Sequence, residues 1–241
     1  MTNEKKIAIA KAIIARKNFG FGTTTSIQIL KKIEQEENFT VVYMPFDDGI
    51  DGFSSKRKNH YIIVLNSNCN INRRNFTCAH ELYHLLFEYD KNDNYIGSSN
   101  SEKIANMFAS YFLIPEDALY LYLNDSKLIT KKRLTIKDIV NIENFFQVSR
   151  SAILTRLKDE QLISNEEFEQ YSQNVIKSVI KSGNDPKNYI DPKNPEHYTL
   201  GEYNLIAKKL LNDEKISRGK YEEIMIDSFN YKEIFGDLGD L

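Results

Sequence analysis

Cysteine is almost missing from this chain: Cys69 and Cys78 are its only two in 241 residues. They form no C-x-x-C pattern, which argues against a disulfide framework and matches a reducing cytosol. An excess of either charge is missing too. Lys and Arg number 32 and Asp and Glu 34, a formal net of −2, which gives no global electrostatic case for nucleic acid. No apolar run is long enough for a membrane span. Near the N-terminus Lys5, Lys6 and Lys11 break up any signal-peptide core. Repeats and low-complexity tracts are absent. The expectation is a soluble cytoplasmic protein, and the wealth of Asn, Lys and Ile is associated with AT-rich bacterial genomes. Hydrophobic residues make up 41%, enough to build a core in one large domain or two small ones.

Histidine is scarce as well, with four in the chain, yet two fall in one pentapeptide, His80-Glu81-Leu82-Tyr83-His84. An H-E-x-x-H match arises by chance in roughly 0.5% of such chains, so coincidence is a poor explanation. On a helix, residues four apart share a face, so both imidazoles reach one metal ion. Glu81 then stands beside it as general base, the arrangement of a zinc metallopeptidase. The bland alternative is a helix with two surface or capped histidines. The context favours the metal. His60 to Asn66 is β-branched and aromatic and reads as a strand. An Asn-rich turn follows, in which Asn70 or Asn72 caps a helix from about Arg73 to Phe87. Phe76, Ala79, Tyr83 and Leu86 recur at helical spacing as its buried stripe. Cys78 lies about 200° around the helix from His80, which makes it a core residue rather than a ligand.

A zinc site takes a third protein ligand and leaves a fourth position for water. The segment from Ser101 to Pro115 reads as a helix capped by Ser101 and stopped by Pro115. Glu102, Ala105, Ala109 and Phe112 fall along one side, and the alanines allow close approach to the His helix. Glu102 is then either the third ligand or a carboxylate placed favourably at a helix N-terminus.

Arg73-x-x-Phe76-Thr77-x-Ala79-His80-Glu81-Leu82-x-His84, with Glu102-x-x-Ala105-Asn106-x-Phe108-Ala109 and the ending Leu113-Ile114-Pro115, resembles the ImmA/IrrE family of metallo-endopeptidases. The resemblance is specific from about Thr24 to Leu162. It implies His80, His84 and Glu102 as ligands of Zn2+, Glu81 as catalytic base, and a zincin-like core. It also implies a protein substrate, typically a helix-turn-helix repressor whose cleavage switches on genes of a mobile element or a stress response. One departure stands out: the family usually carries Gly where this chain has Tyr83. Tyr83, His60 and Tyr61 are the candidates for stabilising the oxyanion, and Asn106, one turn after Glu102, is the candidate partner of a ligand imidazole.

The whole pattern is α+β: a small sheet with packed helices, then a helix-turn-helix-like region, then a small helical extension. The expected divisions are 1–125, 126–182 and 183–241. Residues 3–17 read as a helix with Ile7, Ala10 and Ile14 on one side, 26–36 as a second helix and 39–44 as a strand. The stretch 47–59 reads as a polar loop. Strand 60–66 is expected near the sheet edge, where an extended substrate binds through its main chain. Thr135 to Glu143 and Ser149 to Leu157 resemble a helix-turn-helix, with Arg150, Arg156 and Lys158 as phosphate contacts. A DNA-binding regulator with a structural metal is therefore the alternative function, although the near-neutral charge counts against it, and so does the need to bury Ile153, Leu154 and Leu157. A binding module that keeps its metal without turnover is a third reading. Residues 164–181 read as a helix, 183–200 as a linker with His197 at the surface, and 201–241 as two short helices with an acidic end, Ser217 capping the second.

Overall fold

Alternation decides the first strand. Along Phe39–Met44 (β1) Phe39, Val41 and Tyr43 are buried, while the residues between them are half-buried. The computed structural model describes residues 2–47, 49–89, 95–96, 98, 100–193 and 197–230. Among them β1, Gly52–Arg57 (β2), His60–Asn66 (β3) and Tyr198–Gly201 (β4) form one mixed sheet in the order β2-β3-β1-β4. β3 runs parallel to β1, with Val41 opposite Ile63, while β2 and β4 are antiparallel to their neighbours. The α+β class is as the sequence predicts.

Two strands correct the sequence reading. The polar stretch 47–59 holds β2, and β2, rather than β3, is the edge strand on this side; β3 is interior. An edge strand keeps one row of backbone groups in solvent and tolerates polar residues, so Gly-Phe-Ser-Ser-Lys-Arg forms a strand on pairing rather than on hydrophobicity. Gly52 is required here: a Cβ on it would stand 2.5 Å from Val64 O and 2.8 Å from Thr77 Cγ2. Likewise 183–200, read as a linker, contains a 3-10 turn at Pro186–Tyr189 and ends in β4, which pairs with β1.

Three helices build the other layer: Asn3–Asn18 (α1), Ile71–Phe87 (α3) and Ser101–Leu113 (α4), with the short α2 (Ile29–Ile33) beside them. α3 packs on β2 and β3, and α4 lies between α3 and α1. Ala105 and Ala109 are fully buried, as close helix approach requires. The buried face of α1 is Ala8, Ala12, Ala15 and Arg16; Ile14 is half exposed and Ala10 exposed, against the expected Ile7-Ala10-Ile14 side. Small residues win that interface because α4 presents the bulky Phe108 and Phe112 to the same core. Arg16 donates to the carbonyls of Gly22, Thr25 and Phe112, which ties the Gly- and Thr-rich turn to the end of α4.

Glu116–Asp125 (α5), Ile136–Phe146 (α6), Arg150–Asp159 (α7), Asn165–Ser172 (α8) and Val175–Lys181 (α9) follow. Thr135 and Asp138 make a capping box on α6, and Ser149 caps α7 by accepting from Ala152 N. The single helix expected over 164–181 is two, broken at Asn174, which has φ +51°. Arg150 and Arg156 are buried rather than turned to solvent as the phosphate-contact reading required. Arg150 bonds Glu143, Tyr171 O and Ser178, whereas Arg156 bonds Ile114 O, Tyr111 and Glu160. Lys158 is exposed and lies over the Phe168 ring. Glu202–Asn212 (α10) and Arg218–Asp227 (α11) complete the described chain, with Ser217 capping α11; the acidic end lies outside the described residues. No described helix is long and apolar enough to cross a membrane.

Candidate active site

Asn70 starts α3: its side chain accepts from Arg73 N at 3.1 Å, which fixes the phase of every residue behind it. That phase places His80, Glu81 and His84 on the wall of a cleft of about 630 Å3. β2 supplies Gly52, Phe53 and Ser54 to the opposite side, and Glu102 and Asn106 enter from α4.

His80 Nε2 and His84 Nε2 are 3.1 Å apart. Glu102 Oε2 is 3.1 Å from the first and Oε1 3.5 Å from the second. Among the described residues these three form a His/His/Glu group with ligand atoms all within 4.8 Å of one another. The other ring nitrogens explain what the group is suited to hold. His80 Nδ1 stands 3.0 Å from Asn106 Oδ1, and His84 Nδ1 2.6 Å from Glu88 Oε2. Each Nδ1 therefore carries the proton, and each Nε2 turns a lone pair toward the other and toward the Glu102 carboxylate. Such converging lone pairs repel unless a cation lies between them, so the donor set fits a divalent metal.

Glu81 is 8% exposed, and Ser54 Oγ donates to its Oε2 at 2.7 Å. Ser54 was not legible as a site residue, because its position depends on the β2–β3 pairing. Glu88 was missed despite a local signal: it lies four residues after His84, on the same helical face. Burial alone would raise the Glu88 pKa, but hydrogen bonds with Ser101, His84 and Tyr95 outweigh it and hold the carboxyl below its ordinary value. Tyr95 donates to Glu88 at 2.8 Å from the rim of the cleft. Glu88→Ala is expected to weaken metal binding about 10–100-fold, the usual cost of losing a carboxylate that orients a ligand imidazole. Competition with a chelator measures this, and an unchanged affinity would remove Glu88 from the site.

The structure does not bring the three oxyanion candidates to the cleft. Tyr83 is 2% exposed, accepts from Lys11 Nζ at 3.1 Å and packs on Phe87 and Phe108. Its side chain fills core on the α1 side of α3, where a glycine would leave a void. Burial, together with Glu88, raises its pKa to about 12. His60 is exposed at the start of β3, and Tyr61 stacks on Phe39.

A small mixed sheet, a helix bearing two histidines and an intervening glutamate, and a second carboxylate from the next helix together define a metallopeptidase of the zincin-like type. Residues 34–158 match the model of the Peptidase M78 family, the IrrE N-terminal-like domain, and the chain belongs to that family. The match begins just after α2, runs into α7 and includes every residue of the site described above. None of the curated proteins compared with the chain matches it.

Proposed function

We propose that this protein is a cytoplasmic zinc-dependent endopeptidase that cuts a partner protein, a helix-turn-helix repressor, and so switches on genes of a mobile element or a stress response. The catalytic part rests on one observation: His80, His84 and Glu102 converge with both Nδ1 atoms occupied, and Glu81 is fixed beside them by Ser54. Two imidazoles and a carboxylate suit zinc and leave a coordination position open. Bound there, the metal would supply an acidified water, with a pKa near about 7, and a Lewis acid for the scissile carbonyl. Glu81 takes the proton of the attacking water and passes it to the leaving amine. The outer edge of β2, which pairs with no other strand among the described residues, borders the cleft, so an extended substrate can pair with it through main-chain hydrogen bonds. The repressor as substrate rests on the family resemblance.

The DNA-binding alternative loses two of its three phosphate contacts with the burial of Arg150 and Arg156. Elemental analysis of wild type beside Glu102→Ala tests the reading. About one zinc per wild-type chain is expected, lost in the variant. A folded wild type that takes up no metal would remove the peptidase function.

A further inference from the structure

The cleft does not end at the ligands. Asp51, Phe76, Thr77 and Asn106 also line a second cavity, of about 470 Å3, which continues from it between α3, α4 and α7. Met107 and Tyr111 of α4 and Ala152 of α7 join Phe76 as its apolar surface. Tyr111 is 4% exposed and clamped from both sides of the fold: Arg156 Cζ lies 4.0 Å from its ring centroid and Lys5 Nζ 5.5 Å. That surface is thus pre-formed. The charges on the wall are already matched, Arg73 with Asp51 at 2.6 Å and Asp159 with Lys5 at 3.8 Å. An ionic guest would find no unpaired charge there, whereas an apolar one needs none.

We infer that this cavity receives a large uncharged side chain of the substrate beside the scissile bond, and that α7 sets the size accepted. The inference rests on the peptidase reading of the cleft. A peptide extended along β2 sends alternate side chains to opposite sides, and one directed toward α4 enters between Met107, Tyr111 and Ala152. The cavity volume lies in the range of small-ligand pockets. The face of α7 that a recognition helix would lay on DNA, with Ser151, Ala152, Thr155 and Asp159, is the wall of this pocket. The helix-turn-helix-like pattern is thereby accounted for without DNA.

The test uses binding rather than turnover. The full-length Glu81→Gln protein, loaded with zinc and immobilised, is exposed to a randomised peptide library with blocked termini, and retained peptides are read by mass spectrometry. Enrichment of Phe, Tyr, Leu or Met at one position is expected. Ala152→Phe in the same background should cut retention of those peptides at least about tenfold, the scale on which pocket contacts discriminate side chains, and shift the position toward Ala or Ser. Thr155→Trp changes an exposed residue of the same wall, so it threatens the fold less, and should give the same shift. No retained peptides, no enrichment of a large uncharged side chain, or a profile that neither folded variant alters would overturn the inference. Cleavage of the retained peptides by wild type reports separately: enrichment without cleavage supports the pocket and removes the catalytic assignment.

Discussion

On the proposed peptidase reading, Glu81→Gln is expected to keep its metal and lose its turnover. Glutamine has the shape of glutamate and can still accept from Ser54 Oγ, now 2.7 Å from the carboxylate, so the side chain should stay in place. The three candidate ligand atoms belong to His80, His84 and Glu102 and are untouched. What disappears is a basic oxygen able to take a proton from water and return it to the leaving amine. A positioned general base contributes about 10²–10⁴-fold, and the rate should fall by that factor. Zinc content by elemental analysis, run beside cleavage of a peptide that wild type cuts, separates the two effects. A variant that cleaves at the wild-type rate means that the base lies elsewhere; one that loses zinc means that Glu81 also holds the site together.

What could be read from the sequence follows from how locally each feature is determined. α3 depends on Asn70, on its own periodicity and on the spacing of His80, Glu81 and His84, all within one helix. β1 depends on six alternating residues. These were legible. β2 and β4 were not, because neither is specified by its own residues: β2 forms against β3, with Gly52 opposite Leu65, and β4 against a strand far away in the chain, with Leu200 opposite Val41. Ser54 reaches Glu81 only through that pairing, so the hydrogen bond that holds the Glu81 carboxylate was invisible. Arg150 is a different kind of error. On a helix it shares a face with Ile153, Leu154 and Leu157, which are fully buried, so the periodicity that placed those three inside also placed Arg150 inside. Its charge suggested solvent, and the partner that makes its burial tolerable, Glu143, lies seven residues earlier on α6.

That partner gives Arg150→Ala the largest effect on stability. Arg150 is 4% exposed and Glu143 fully buried. The guanidinium bonds both Glu143 oxygens, Tyr171 O at 2.8 Å and Ser178 Oγ at 3.0 Å, and so joins α6, α7, α8 and α9. Truncation would leave Glu143 with Tyr189, which donates to it at 2.9 Å, and would orphan Tyr171 O. Breaking a buried pair from one side costs about 3–5 kcal/mol, and urea denaturation near neutral pH should show a loss of that size. The pH dependence has a definite sign. Burial already holds the Glu143 pKa above its ordinary value against the opposing pull of Arg150 and Tyr189, and removing Arg150 raises it further. A carboxylate raised in the folded state contributes stability below its unfolded pKa and loses it as pH rises through the folded value. The penalty of Arg150→Ala should therefore be larger at about pH 8 than at about pH 5, where Glu143 can be protonated in place. Replacing both partners, Arg150→Met with Glu143→Met, should recover most of the loss, because no buried charge is then left alone. If Arg150 served to hold phosphates, Ala would lower affinity for DNA and leave the fold as stable as before. A loss of stability below about 1 kcal/mol at about pH 8 would therefore contradict the structural role and revive the DNA-binding one.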